Sequence, residues 1–229
     1  LCANPAAQFD SYQSEIESAV LSVMRGNRYI LGAEVEALEE EFATYIGTSY
    51  AVGVANGTDA LELALRALDI KSGDEVITVS HTAVATVAAI EASGATPVLV
   101  DVEQQFYTLE PAQLEEAYSS KTKAIIAVHL YGQSANIEAI KYFCDKHSLF
   151  LIEDASQAHG ALYKDKRLGS IGDIGCFSCY PTKNLGAIGD AGLITTNNAN
   201  LASKVRMQRE YGWRNRISEY TGRNSRLDE

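Results

Sequence analysis

No apolar run in this sequence approaches the ~20 residues needed to span a bilayer. Its first residues, Leu1-Cys2-Ala3-Asn4-Pro5, lack the basic segment and apolar core of a secretory signal. Basic side chains are outnumbered. The 19 Lys and Arg against 30 Asp and Glu leave a formal net charge of −11, which argues against nucleic acid or an anionic membrane as partner. Four cysteines make no disulfide framework, so a reducing, cytoplasmic setting is expected. Cys176 and Cys179 form a C-x-x-C, but three positions apart on a strand their side chains face opposite ways. No second Cys or Cys/His pair completes a zinc set, and no metal is expected. The dinucleotide fingerprint, the P-loop, H-E-x-x-H and G-x-S-x-G are all missing, as are internal repeats and low-complexity linkers.

What is present is an alternation of short apolar strands with amphipathic helices. Ile16, Ala19, Val20 and Val23 mark one opening helix, and Val35, Leu38, Glu39 and Phe42 mark a second that ends near Gly47. Helices are then predicted over Gly57–Leu68, Ala83–Ala92, Pro111–Tyr118, Ile137–His147 and Ala199–Arg209. Strands are predicted over Glu75–Val79, Thr96–Val100, Ala124–Val128, Leu149–Glu153, Ile174–Ser178 and Gly192–Thr196. Strands apolar on both sides imply an α/β fold, a mainly parallel sheet covered by helices on both faces. Ligands of such sheets collect at the carboxyl ends of the strands. The last residues, Asn224-Ser225-Arg226-Leu227-Asp228-Glu229, look like a fresh helix start. With no initial Met, the chain is read as a fragment.

Asp154 sits at one such strand end, and Lys183 lies in the polar loop Ser178-Cys179-Tyr180-Pro181-Thr182-Lys183-Asn184. A carboxylate at a strand end and an amine on a nearby loop are what pyridoxal phosphate needs. The amine forms the Schiff base, and the carboxylate keeps the pyridine nitrogen protonated. Lys164 and Lys166 read instead as solvated surface charges. A phosphate cradle is the third requirement. Asn56-Gly57-Thr58-Asp59-Ala60-Leu61 opens a helix with unpaired first-turn amides, a Gly that permits close approach and a Thr hydroxyl, making Gly57, Thr58 and Asp59 candidates. The same residues also suit a plain N-cap. Ser178 is near enough to Lys183 to reach the same phosphate, and Gln157 is placed to donate to a ring oxygen. His159 is a candidate acid–base group or an ordinary hydrogen-bonding side chain.

Together these stretches resemble the DegT/StrS-type sugar aminotransferases, a pyridoxal-phosphate family of fold type I. The resemblance is carried by Arg28-Tyr29-Ile30-Leu31-Gly32, Asn56 to Leu61, Glu153-Asp154-Ala155-Ser156-Gln157-Ala158-His159-Gly160, Phe177 to Gly189, Tyr211-Gly212-Trp213 and Asn224 to Asp228. It implies Lys183 as the Schiff-base lysine, Asp154 as partner of the pyridine nitrogen and Gln157 at the ring oxygen. Gly57, Thr58 and Ser178 would bind the phosphate. Asn224 would reach the phosphate of a neighbouring subunit, making the active unit a homodimer with shared sites. It further implies transfer of an amino group, usually from glutamate, to a nucleotide-linked keto sugar. Two departures stand out. Many members carry a stacking aromatic where this chain has Ser80-His81-Thr82-Ala83, and His81 is the nearest substitute. Residues 1–229 are read as the cofactor-binding large domain with its N-terminal helices, and the carboxy-terminal small domain is missing. A cyclitol or other ring ketone as acceptor, or a non-catalytic regulatory role, are the alternatives. Dehydratase relatives carry His in place of the lysine, and Lys183 argues against that branch.

Overall fold

The computed structural model describes residues 3–229. Helices α1 (Pro5–Ser11) and α2 (Gln13–Arg25) open the chain, and neither contains a buried residue. Then follow α3 (Ala33–Ile46), β1 (Tyr50–Val54), α4 (Gly57–Ala67), β2 (Glu75–Val79), α5 (Val84–Ser93), β3 (Thr96–Val100) and α6 (Leu114–Ala117). β4 (Thr122–Val128), α7 (Ile137–His147) and β5 (Phe150–Asp154) lead to a small hairpin, β6 (Leu162–Tyr163) and β7 (Lys166–Arg167). The chain continues through β8 (Ile174–Ser178), β9 (Gly192–Thr196), α8 (Ala199–Gln208) and a second hairpin, β10 (Trp213–Arg214) with β11 (Ile217–Ser218).

Seven strands form one sheet in the order β1-β9-β8-β5-β4-β2-β3. β2, β3, β4, β5 and β8 pair in parallel, while β9 is antiparallel to both β8 and β1. β1 therefore points the same way as β8, and β9 is the reversed strand of the sheet. Successive side chains alternate faces along these strands. Val52, Cys176 and Ile194 pack with α4 and α8, while Ala51, Phe177 and Leu193 pack with α3. Cys176 and Cys179 fall in these two different apolar clusters, as their spacing implied. Among the described residues no helix is long and apolar enough to cross a membrane.

The expected α/β sheet is observed, with three corrections. β1 is a full edge strand over a stretch where no strand is predicted, its apolar run being interrupted by Gly53. That Gly is required by packing: a Cβ there would lie 2.7 Å from Leu227 Cδ2. A further helix, α1, precedes the predicted opening pair, started by Asn4 capping and by Pro5. Residues 224–229 form no helix. They run extended beside residues 29–32, with an Ile30–Asp228 bridge and Leu31 N–H donating to Leu227 O at 3.3 Å. Burial of Leu227 against β1 outweighs the local helix signal, and the Glu229 carboxylate accepts from the Gly32 and Glu34 amides at the start of α3.

A buried charge cluster fastens α3, β1 and α8 together. Glu39 Oε1 accepts from Arg209 Nη1 at 2.6 Å and from the Gly53 amide at 2.8 Å, and Oε2 accepts from Arg206 Nη2 at 2.9 Å. The arginines also donate to Gly53 O and Ala51 O, at 2.7 and 3.0 Å. Glu39→Ala would strand a buried guanidinium and a strand amide, so it is expected to cost about 3–5 kcal/mol of unfolding free energy. Urea unfolding measures it, and a loss below about 1 kcal/mol would show that apolar packing alone holds this edge.

Candidate active site at the carboxyl rim of the sheet

Strand direction gathers the candidate residues. β1, β5 and β8 all end at one rim, so Asn56-Gly57, Asp154 and Ser178 emerge side by side. Because β9 is reversed, the segment joining β8 to β9 leaves and re-enters at that same rim, and Lys183 rides on it. A cavity of about 560 Å³ opens there, lined by Gly57, Thr58, Asp59, Asp154, Gln157, Ser178 and Lys183. Its size is that of an ordinary small-molecule site. The cavity walls thus unite seven of the residues singled out from sequence.

Asp154 closes the central strand and is only 5% exposed. Its Oδ2 accepts from Thr86 Oγ1 at 2.9 Å, and its Oδ1 from the Ser156 amide at 3.2 Å. A carboxylate only accepts, so the Thr86 proton is committed to Asp154 and Thr82 must donate to Thr86, 2.8 Å away. This Thr82–Thr86–Asp154 chain was missed from the sequence. Its only trace is the four-residue spacing of two hydroxyls at the start of α5. Each carboxylate oxygen keeps a lone pair for the cavity, enough to accept from a protonated ring nitrogen.

Next to Asp154, Glu153 points to the other side of the sheet and is fully buried. It accepts from Gly169, Ile171 and Gly172 amides at 2.7–2.8 Å and from His129 Nε2 at 3.1 Å. His129 Nδ1 accepts from the Ala135 amide, which places the ring proton on Nε2 and makes the histidine a neutral donor. Burial pulls the Glu153 pKa up, but the His129 and amide donors prevail and the net shift is down. The strand end carrying Asp154 is thereby clamped from behind.

At the opposite end, Asn56 caps α4, its Oδ1 accepting from the Asp59 amide at 2.8 Å. Its carbonyl takes the Ala60 amide, which leaves the Gly57 and Thr58 amides as first-turn donors toward the cavity. A Cβ on Gly57 would sit 2.5 Å from Ser178 Cβ, so glycine lets these amides and the Ser178 hydroxyl share one small cradle. Gln157 Oε1 accepts from the Tyr131 amide at 2.8 Å, and only an oxygen can do so. Its NH2 is therefore the end left to donate. That bond also steadies Tyr131, a non-glycine residue at φ +57° on the cavity's outer side.

Three sequence candidates fall outside the cavity. His81 is exposed, its ring 6.1 Å from that of Tyr131, and Ala83 forms the wall instead. Asn224 is exposed and takes Arg226 Nε on its Oδ1 at 3.0 Å. His159 lies behind the Lys183 loop, against Phe177 and beside a separate cleft formed with Phe42 and Tyr45. Its ring faces the Ser178 backbone without a well-formed hydrogen bond. Burial, then the nearby Lys183 ammonium, push its pKa down to about 4, against a weaker upward pull from the Ser178 backbone.

The donor set fits pyridoxal phosphate: two amides and two hydroxyls for a phosphate ester, a fixed carboxylate for a ring nitrogen, an amide donor for a ring oxygen and an amine for a carbonyl. The sheet is that of the aminotransferase type of α/β fold. The sequence pattern of the DegT/DnrJ/EryC1/StrS aminotransferase family matches residues 10–229, and the chain belongs to that family. It is 52% identical over 219 residues to the dTDP-3-amino-3,6-dideoxy-alpha-D-galactopyranose transaminase of Aneurinibacillus thermoaerophilus, covering 95% of this chain and 60% of that protein. The crystal structure of DesV from S. venezuelae in complex with a ketimine intermediate superposes with a TM-score of 0.96 at 45% identity, covering 98% of this chain and 61% of that one. NtdA from Bacillus subtilis, solved with bound cofactor PMP, gives 0.89 at 33% identity over 95% of this chain and 50% of that one. The chain thus spans about three fifths of the length of the curated relatives it matches.

Two pH windows follow from the buried groups. His159 is neutral in the fold and takes up its proton on unfolding, so stability falls as pH drops from its ordinary 6.5 toward about 4. The Glu153 contribution is present above the unfolded carboxylate range and is lost only at lower pH, because its folded pKa is depressed. His159→Gln is expected to flatten the upper window and leave the lower limb, as read from urea-unfolding free energies across pH. An unaltered slope between pH 6.5 and 4 would mean that His159 is already paired or protonated in the fold.

Proposed function

We propose that the protein is a pyridoxal-phosphate-dependent aminotransferase that passes an amino group, from glutamate as donor, to a nucleotide-linked keto sugar. The observation that carries this reading is the convergence of Lys183, Asp154 and the Gly57–Thr58–Ser178 cradle on one cavity at the carboxyl rim. Family membership and the nucleotide-sugar transaminase named among its relatives support the substrate class. Residues 1–229 are read as the cofactor-binding large domain with its N-terminal helices. A cytoplasmic setting agrees with Cys144, Cys176 and Cys179 lying buried as free thiols whose pKa values burial raises.

When bound, the cofactor supplies a carbonyl that condenses with amines and a pyridinium ring that draws electrons from the adjacent carbon. Gly57 and Thr58 amides, with the Thr58 and Ser178 hydroxyls, hold the phosphate at the start of α4. Asp154, aimed by Thr86 and Ser156, keeps a proton on the pyridine nitrogen through a charge-assisted hydrogen bond. The Gln157 NH2 donates to the ring oxygen. Lys183 Nζ would hold the cofactor through its carbonyl and, as a free amine, would serve as the base for the donor's α-carbon proton. Asn224 would act in the partner subunit of a homodimer. Its exposure outside its own chain's cavity supports that.

Borohydride reduction with pyridoxal phosphate, followed by peptide mapping, is expected to place the label on Lys183, and label on Lys164 or Lys166 would sink the assignment. Asp154→Asn is expected to retain some cofactor binding yet lose orders of magnitude in turnover, since a neutral amide cannot hold the ring proton as a carboxylate does. Rates with glutamate and a panel of keto sugar nucleotides measure it. Near-normal turnover in Asp154→Asn, or none by wild type with any of them, would defeat the mechanism or the substrate class respectively.

A further inference from the structure

The first turn of α4 contains a contradiction for an anion site. Asp59 lies among the amides of the cradle, lines the same cavity and keeps only 7% of its side chain exposed. An acid in a first turn is favoured by the helix dipole, but here it competes with any phosphate for the same positive potential. One turn on, Glu62 is buried too. Arg223, brought in from the segment between β11 and the chain's last residues, answers both. Its Nη2 is 3.3 Å from Asp59 Oδ1 and its Nη1 bonds Glu62 Oε2. Arg223 is also anchored by its own backbone, its amide donating to Gln208 O at 2.9 Å.

The two acids depend on Arg223 unequally. Glu62 has a second counter-ion, Arg66 Nε at 2.8 Å, four residues along the helix. Among the described residues, Asp59 has none besides Arg223. We infer that Arg223 is a positioning residue for the cofactor phosphate, holding and neutralising the Asp59 carboxylate so that the start of α4 stays open to a dianionic phosphate ester. This rests on the proposed phosphate-binding role of Gly57, Thr58 and Ser178. It adds that the cradle works only while a residue more than 150 positions away in sequence offsets the acid built into it. Loss of the guanidinium leaves an uncompensated buried carboxylate on the wall of the cavity that would take the phosphate, a repulsion expected to weaken binding by roughly tenfold or more.

The test measures dissociation constants of pyridoxal phosphate, of pyridoxal and of inorganic phosphate by absorbance or protein fluorescence, on the full-length protein stripped of cofactor. Arg223→Gln is expected to weaken pyridoxal phosphate and inorganic phosphate about tenfold while leaving pyridoxal within about twofold. Arg223→Lys should recover much of the loss. Asp59→Asn added to Arg223→Gln should recover it as well, because the charge that needed neutralising is gone; a packing defect at position 223 would not be relieved that way. Far-UV circular dichroism confirms that each variant is folded. If wild type prefers pyridoxal phosphate to pyridoxal and Arg223→Gln keeps that preference, the inference fails and the cradle stands. Weakening that Asp59→Asn does not relieve also overturns it. A wild type that binds pyridoxal and pyridoxal phosphate equally removes the cradle, and the role of Arg223 with it.

Discussion

β9 enters the sheet against the direction of both its neighbours, and the chemistry of the chain depends on that reversal. Had β9 run parallel to β8, the connection would have crossed a face of the sheet and would not have turned back at this rim. Instead the β8–β9 segment leaves and returns at the rim where β5 presents Asp154 and where α4 begins. Two backbone bonds, Cys179 N–H to Ala191 O and Ala187 N–H to Cys179 O, both 2.8 Å, fold the segment back on itself. A lysine on a polar loop is thus held within one cavity with a carboxylate buried at the centre of the sheet.

Around that arrangement, acids are buried where backbone amides or arginines can receive them, and each does a different task. Glu39 joins two helices to an edge strand, Glu153 clamps the end of β5, and Asp154 is left with lone pairs facing the cavity because its other partners are only a hydroxyl and one amide. The difference between Glu153 and Asp154 is instructive. Adjacent on one strand, they face opposite sides of the sheet. One meets four donors and becomes structural, while the other meets two and remains available. Burial makes both costly to leave unpaired, so the partly satisfied one marks the site.

Ala83 gives the cavity a smaller wall than an aromatic residue would. His81 does not replace it, since its ring turns outward beside Tyr131. Tyr180 lines the cavity and is half exposed, while Leu61, Val128 and Leu130 add apolar wall beside the polar groups.

Much of the fold could be read along the chain. The apolar runs of β2, β4, β5, β8 and β9 are strong because parallel-sheet strands are buried on both faces, and Asp154, Lys183 and the Asn56-Gly57-Thr58 turn stand out as polar punctuation at their ends. β1 was hidden because Gly53, demanded by the close approach of Leu227, breaks its run. The last residues read as a helix start because local signals ignore a pairing with Ile30 and Leu31 some two hundred positions away. Thr86, the orientation of Gln157, the clamp on Glu153 and the Arg223–Asp59 pair were decided only by the tertiary structure. Each is a contact between groups far apart in sequence, whose geometry exists only once the sheet is assembled. Residue type and spacing determined which chemistry this chain can carry; strand order and direction decided which side chains meet to perform it.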